Sequence, residues 1–373
     1  MAVRIQEIGF GRERKQFITF PWRIYGGDPN WVPPLIVDRR DFLNPKKNTF
    51  FEHATVRLFL ARDESGRPLG RIAGIINGNH LAAHKDHTGF FGLFECVNDP
   101  AVAGRLLGRV VDMLREAGLR TMRGPMNMSV NDDIGLLIDG FDRPPAVMMP
   151  YNPPYYADLF ERFGLRKRMD LLAYYLEQKD GRIPERLVRG AEAMRRRYGI
   201  TVRPLDMKKF KSDAATIHRV YSEAWADNWG AVAMTEREFA HLAADLKMVV
   251  DPGFCLLAFV KDEPAGFSLA LPDINQALIK LDGRLLPLGL PKLLWYKRKI
   301  DMVRIITMGV PARFRGKGID TCFYYETYRH GMEKGIYRGE LSWVLETNGP
   351  MNNALRKLGA RVYKKYRLYD YSL

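Results

Sequence analysis

The run Val303-Arg-Ile-Ile-Thr-Met-Gly-Val310, continued by Pro311-Ala-Arg-Phe-Arg-Gly-Lys-Gly-Ile319, carries the residues best suited to chemistry in this chain. An apolar, β-branched stretch reads as a strand, it feeds a loop holding Gly316 and Gly318, and a helix starts at Ile319. Glycines at these two positions let the backbone take positive φ and approach a ligand closely. The first N–H groups of a helix lack partners within it, and the helix dipole adds partial positive charge, so the junction is suited to an anion. Arg313, Arg315 and Lys317 add charge beside it. The spacing is neither GxxxxGK[ST] nor GxGxxG, so the anion is not read as sitting in either of those nucleotide loops. The competing reading is a purely structural glycine-rich turn.

Elements on both sides must position this loop. Before it come a strand at Ile200 to Arg203 and helices at Asp213 to Trp225 and Thr235 to Val249, the last opened by a Thr235/Glu238 capping box. A hairpin follows, Phe254 to Val260 with Ala265 to Leu271, around the turn Lys261-Asp-Glu-Pro264. After the loop the pattern predicts a helix over Ile319 to Lys334, a strand over Gly339 to Glu346, a helix over Pro350 to Leu358 and a final strand over Val362 to Tyr371. The first half repeats part of this plan. It has a hairpin, Thr55 to Ala61 with Leu69 to Ile76, a strand at Gly89 to Cys96 and a helix at Pro100 to Ala117. Asn152-Pro-Pro-Tyr-Tyr-Ala-Asp-Leu-Phe-Glu-Arg-Phe-Gly164 also echoes Asn348-Gly-Pro-Met-Asn-Asn-Ala-Leu-Arg-Lys-Leu-Gly359, which points to tandem duplication. The polar linker Gln178-Lys-Asp-Gly-Arg-Ile-Pro184 divides the chain into domains 1–183 and 184–373.

Composition limits the partners. The chain has 373 residues, enough for two cores. Its charge is +15, and between Arg284 and Tyr369 there are 18 Lys and Arg against 6 Asp and Glu, so 12 of the excess charges lie there. Such a region attracts nucleic acid, cofactor phosphates or an acidic membrane surface, or is a solvated basic face. No zinc finger, RNP motif or basic recognition helix supports nucleic acid, and none is expected as a partner. Three distant cysteines without a CxxC pair argue against a disulfide framework and fit a reducing, cytoplasmic setting. No apolar run is long enough to span a bilayer, and the N-terminus lacks a signal-peptide core. His80, His84 and His87 have helix-compatible metal spacing but no evident carboxylate or Cys partner, so no metal is expected.

Arg313-x-x-Gly316-x-Gly318 between strand and helix resembles the pyrophosphate loop of the GNAT acyltransferase superfamily. The preceding helix–helix–hairpin and the following Trp343-Val-Leu-Glu-Thr-Asn348 with its helix and Gly359 strengthen the likeness. The resemblance implies an α/β (α+β) fold of tandem GNAT-like domains, each a mixed, mostly antiparallel sheet flanked by helices. It implies acyl-CoA as co-substrate, with no prosthetic group. It also implies donor contacts from Met308, Gly309, Val310, Arg313, Phe314, Arg315, Gly316, Lys317, Gly318, Ile319 and Asn348. A backbone N–H within Thr307 to Val310 would polarise the thioester carbonyl. The family's tyrosine acid falls here on Leu355, which cannot donate a proton. Tyr324, Tyr325 and Tyr363 are the nearby candidates, with Tyr325 taken first, unless the thiolate, of ordinary pKa ~8.5, leaves unaided. Glu346 is the candidate base, directly or through water, against the plain reading of a strand-end ion pair. The loop matching the pyrophosphate loop in the first half, Val97-Asn-Asp-Pro-Ala-Val-Ala-Gly104, lacks paired glycines and a basic cluster, and Asp99 would repel phosphate. That half reads as a GNAT-like domain that has lost CoA.

Trp31-Val-Pro-Pro34, Gly89-Phe-Phe-Gly-Leu-Phe-Glu95, Gly124-Pro-Met-Asn-Met-Ser129, Gly135-Leu-Leu-Ile-Asp-Gly-Phe141, Asn228-Trp-Gly230 and Glu340-Leu-Ser-Trp-Val-Leu-Glu346 together resemble the bacterial ceramide synthase-like branch, along nearly the whole chain. This implies transfer of a long acyl chain to the amino group of a sphingoid base. The alternatives are a GNAT acetyltransferase acting on a soluble amine, or an inactive ligand-binding pair. Trp225, Asn228 and Trp229 are expected at the acceptor, where a core cluster is the other reading. Asn127 and Asn131 are expected to orient its head group, or to cap a turn. Arg284 to Lys299, apolar with basic flanks, suits an interfacial segment touching an acidic membrane from the cytoplasmic side, an acyl-chain wall, or a buried insertion.

Overall fold

The computed structural model describes residues 3–178, 181–225, 228–247 and 249–373. Lys179 and Asp180 of the expected linker, and Met248 of the expected helix Thr235 to Val249, lie outside the described residues. The first half runs β1 (Arg4–Ile8), α1 (Arg14–Thr19), α2 (Pro21–Ile24), α3 (Ile36–Phe42), β2 (Ala54–Arg62), β3 (Pro68–Asn77), α4 (Gly78–His84), β4 (Thr88–Cys96), α5 (Pro100–Glu116), β5 (Thr121–Gly124), β6 (Leu136–Asp139), α6 (Tyr156–Phe163) and β7 (Arg166–Glu177). The second half runs α7 (Glu185–Tyr198), β8 (Ile200–Pro204), α8 (Phe210–Trp225), α9 (Glu236–Leu246), β9 (Cys255–Val260), β10 (Glu263–Pro272), α10 (Asn275–Leu278), α11 (Gly289–Lys297), β11 (Met302–Gly309), α12 (Ile319–Glu333), β12 (Arg338–Leu345), α13 (Gly349–Lys357) and β13 (Arg361–Ser372).

Local chemistry accounts for several boundaries. Both bonds of the Thr235/Glu238 capping box form at the start of α9. Asp99 caps α5 and Pro100 occupies its first turn, where a missing N–H costs nothing. Lys261 and Asp262 both take positive φ, +49° and +65°, the geometry of a tight two-residue turn between β9 and β10.

Among the described residues the strands join in one sheet, ordered β1-β2-β3-β4-β5-β13-β7-β12-β11-β10-β9-β8, with β6 against β13. Among the described residues only β4–β5 and β11–β12 pair in parallel. The two halves interleave at the centre, because the last strand of the chain lies between β5 and β7 of the first half. That strand packs on both faces: Tyr366 and Leu368 enter the apolar cluster on one side, and Tyr369 the cluster under α5 and α6 on the other. A strand apolar on both faces belongs inside a sheet. The internal repeat extends to irregularities. The register of β3 on β4 shifts between Arg71 and Ala73, and that of β10 on β11 between Leu269 and Ala270.

Candidate active-site cleft

β11 and β12 pair from Met302↔Arg338 to Ile305↔Leu341 and then separate. Beyond that point β11 follows β10 as far as Gly309, and β12 follows β7 as far as Leu345. A V-shaped gap results. Its apex is pinned by a buried ionic network. Arg304 donates from Nε to Ser342 Oγ (2.8 Å), from Nη2 to Ser342 O (3.2 Å) and from Nη1 to Val147 O (2.7 Å). Glu340, fully buried, lies 3.6 Å from Arg304 and accepts hydrogen bonds from Ser342 Oγ and Tyr363 OH. Burial pulls the Arg304 pKa down while the Glu340 carboxylate opposes that fall. The network ties the two strands together one step before they diverge, and links them to the first half through Val147.

The gap encloses a cavity of about 150 Å³. Ile306, Thr307 and Met308 of β11 form one wall and Trp343 to Leu345 of β12 the other. Trp225, Asn228 and Trp229 close it from α8 and the segment after it, and Tyr324, Met351 and Leu355 from α12 and α13. In the shifted register Thr307 faces Leu269 and Ile305 faces Ala270, so Ile306 has no counterpart on β10 and its backbone is turned out of the ladder.

The glycine loop lies beside this gap. Gly316 and Gly318 have φ of +76° and +75°. Gly318 is the residue before α12, and no side chain caps that helix. The first backbone bond of α12 runs from Cys322 N–H to Gly318 O, 3.2 Å, leaving the N–H groups of Ile319, Asp320 and Thr321 without partners in the helix. A Cβ on Gly318 would come within 2.5 Å of Met194, whereas the space around Gly316 is open. Arg315 donates to Val310 O and Ala224 O, both 3.2 Å, holding the loop against the end of β11 and α8. Arg313 is paired with Glu223 and Glu263 on the surface, and the Lys317 amine lies over the Phe314 and Tyr198 rings. Phe314 and Ile319 are buried under the loop as its apolar anchors.

The other expected site residues divide. Trp225, Asn228, Trp229, Met308 and Asn348 share the cleft. Asn348 also accepts from Met351 N–H at 3.2 Å, starting α13. Glu346 stands just past β12, where Lys167 Nζ approaches to 2.8 Å and Asp170 N–H donates to it at 3.0 Å. Tyr325 packs between α12 and α7 under the Arg195 guanidinium. Tyr324, one residue earlier, lines the cleft, its hydroxyl 3.4 Å from Met351 Sδ and its pKa raised by burial. Asn127 Oδ1 accepts from Leu93 N–H at 2.7 Å, and Asn131 Oδ1 from Tyr221 OH at 2.9 Å, which ties a first-half loop to α8. Sequence reasoning missed Arg304, Ser342 and Met351. An arginine inside the apolar run Val303-Arg-Ile-Ile was the available signal for the first. His80 bonds Asp86 (3.0 Å) and His84 bonds Ala231 O (2.8 Å).

In the first half β4 and β5 likewise part after Phe90↔Arg123. The helix that follows, α5, begins differently from α12. The Asp99 carboxylate accepts the N–H groups of Ala101 (2.8 Å) and Val102 (3.4 Å), filling the place an anion would take. Elsewhere Leu286, Leu288, Leu290, Leu294 and Trp295 are exposed, Leu286 to 80%, on and just before α11. Among the described residues no helix is long and apolar enough to cross a membrane.

The chain matches no protein-family model. It is 38% identical over 372 residues to the bacterial ceramide synthase of Caulobacter vibrioides, covering 97% of this chain and 95% of that protein. It is 35% identical over 363 residues to Protein YghO of Escherichia coli, covering 95% and 92%. Among solved structures it resembles a tandem GNAT protein from the clavulanic acid biosynthesis pathway (TM-score 0.58, 12% identity, 100% and 98% covered). It also resembles a GCN5-related N-acetyltransferase from Sphaerobacter thermophilus (TM-score 0.53, 14% identity, 99% and 95% covered). These two likenesses establish a GNAT-type α/β fold.

Proposed function

The chain belongs to the bacterial ceramide synthase family, and on that premise we propose that it moves a long acyl chain from acyl-CoA to the amino group of a sphingoid base. The observation that carries this reading is the cleft itself, which opens between β11 and β12 beside an uncapped helix N-terminus behind two positive-φ glycines. The N–H groups of Ile319, Asp320 and Thr321, with Arg313, Arg315 and Lys317, would hold the pyrophosphate. Arg313 must exchange Glu223 and Glu263 for the phosphates to take part. The pantetheine arm would run along Thr307 to Val310, where Ile306, out of register, offers backbone groups to the thioester carbonyl.

Reaction then needs a free amine close to that carbonyl. The amine nitrogen attacks the carbonyl carbon, the C–S bond breaks, and CoA leaves as thiolate. In this reading Glu346 accepts the ammonium proton through water, and Lys167 competes for the same carboxylate. Tyr324 is better placed than Tyr325 to stabilise the thiolate, because its ring lines the cleft. Its raised pKa suits a hydrogen-bond donor more than a full proton donor. Trp225 and Trp229 would flank the acceptor. In this proposal residues 1–183 are a degenerate GNAT-like domain and 184–373 the CoA-binding one, with one CoA per chain, because the Asp99 carboxylate occupies the start of α5.

The proposed partners are acyl-CoA, a lipid amine and the surface of an acidic membrane on its cytoplasmic side. Five large apolar side chains stand exposed between Leu286 and Trp295, with Arg284, Lys292, Lys297, Arg298 and Lys299 around them. Apolar residues that enter the headgroup region beside cations that meet anionic lipid are the makings of an interfacial segment. The test of the reaction is direct. Purified protein given a long-chain acyl-CoA and sphinganine should release free CoA thiol and form one N-acyl product by mass spectrometry. No thiol release with any amine would overturn the assignment.

A further inference from the structure

A second hollow of about 100 Å³ adjoins the cleft, and the surface that the described residues turn to it is apolar. Its floor crosses the sheet in a single row. Thr307 on β11 is opposite Leu269 on β10, Leu269 is opposite Cys255 on β9, and Leu205 donates its N–H to Cys255 O. All four line the hollow. At strand spacings of ~4.8 Å the row extends about 14 Å from the cleft toward the sheet edge. Its roof is α8, through Phe210, Ala214, Ile217 and Tyr221, and α9, through Phe239, Leu242, Ala243 and Leu246. Both sets follow helical spacing along one face. Yet α9 buries none of its residues. Its apolar stripe covers empty space, while His53–Glu238 (2.8 Å) and Glu52–Arg237 (3.0 Å) hold the helix from the first half.

Thr307 lines both the cleft and the hollow. Its hydroxyl is buried and has no hydrogen-bond partner among the described residues. An apolar stripe over a hollow, bordered by the strand where the thioester would lie, fits an extended hydrocarbon that continues from the cleft. It does not suit a charged head group, because among the described residues the surface exposed to the space is apolar.

We infer that the hollow beneath α8 and α9 receives the acyl chain of the donor thioester, and that its far end, at Leu205, Ala214, Ala243 and Leu246, sets the chain length accepted. The inference rests on the acyl-CoA reading above. It differs from the expectation that Arg284 to Lys299 forms the acyl wall, and leaves that segment to the membrane. Each further methylene that enters should raise affinity about fourfold, the equivalent of ~0.8 kcal/mol per buried methylene.

The test uses full-length protein with a series of acyl-CoA donors from acetyl to long-chain, reading kcat/KM for thiol release. Ala214→Phe, and separately Ala243→Phe on the less buried helix in case the first fails to fold, should each lower the long-to-short ratio at least tenfold. Affinity of the unaltered protein by calorimetry should rise stepwise with donor length up to the depth of the row. A ratio within twofold of the unaltered protein in both variants would overturn the pocket assignment while leaving acyl-CoA use intact. An unaltered protein that turns over no acyl-CoA overturns both readings.

Discussion

Two glycines flanking the same helix allow the donor site to be tested apart from stability. Gly316 and Gly335 lie at opposite ends of α12, with φ of +76° and +72°, and a Cβ on either would meet nothing within 4 Å. Replacing each with valine therefore imposes the same penalty, the strain of an L-residue in the left-handed region, about 1–2 kcal/mol. For a chain of this size that lowers Tm by about 1–3 °C, because each kcal/mol shifts Tm by only about 1–2 °C. Only Gly316 lies on the loop that leads into the partnerless N–H groups at the start of α12, so only there would the branched side chain cover the proposed anion site. Calorimetric titration with CoA should give no measurable binding for Gly316→Val, near-normal affinity for Gly335→Val, and closely similar melting curves for the two. Equal CoA affinity in both variants would refute the placement of the pyrophosphate.

Other outcomes follow from the same geometry. Arg304→Met should destabilise the protein by about 3–5 kcal/mol in denaturant melts, because it leaves Glu340 charged and unpaired in the interior. Asp273 is buried and its pKa is pushed up to about 7, so the folded state holds its proton more tightly than the unfolded chain does. That raised carboxyl lowers stability as pH climbs from about 4 through 7. The gain in Tm of Asp273→Asn over the unaltered protein should accordingly grow between pH 5 and pH 8, and a constant difference would contradict the assignment. Tyr324→Phe should lower kcat about tenfold or more with little change in KM, whereas Tyr325→Phe should not. Leu288→Ser with Leu294→Ser should weaken co-sedimentation with vesicles containing acidic lipid, and added salt should release the unaltered protein in part.

The loop and the elements around it were legible because they rest on local causes. Paired glycines before a helix, a capping box and a tight hairpin each leave a mark within a few residues. Hence β11, α12, β12 and α13 fall within a residue or two of their expected ranges. The interleaving of the halves was not legible. The aromatic run Val362 to Tyr371 reads as a strand, but nothing local says that its neighbours are β5 and β7, whose partners are set by the whole sheet. The same holds for the cleft apex. Arg304 is a lone charge in an apolar run, and its role depends on Ser342, Glu340 and Val147, all distant in sequence. Tyr324 and Tyr325 are adjacent, so spacing alone could not choose between them. The rotation of α12 turns the first into the cleft and the second toward α7. The hollow under α9 left only an amphipathic stripe, which is the same whether a helix packs tightly or roofs a space.

Long-chain acyl transfer to a lipid amine can be set against its alternative in one competition experiment. Acetyl-CoA and a long-chain acyl-CoA are offered together at equal concentration, with sphinganine, its 3-oxo form and a soluble polyamine as acceptors, and the products are resolved by mass spectrometry. An N-acyl long-chain base should be the dominant product, with little acetylated polyamine. Preferential acetylation of the polyamine would contradict long-chain transfer and leave a small-molecule acetyltransferase in its place.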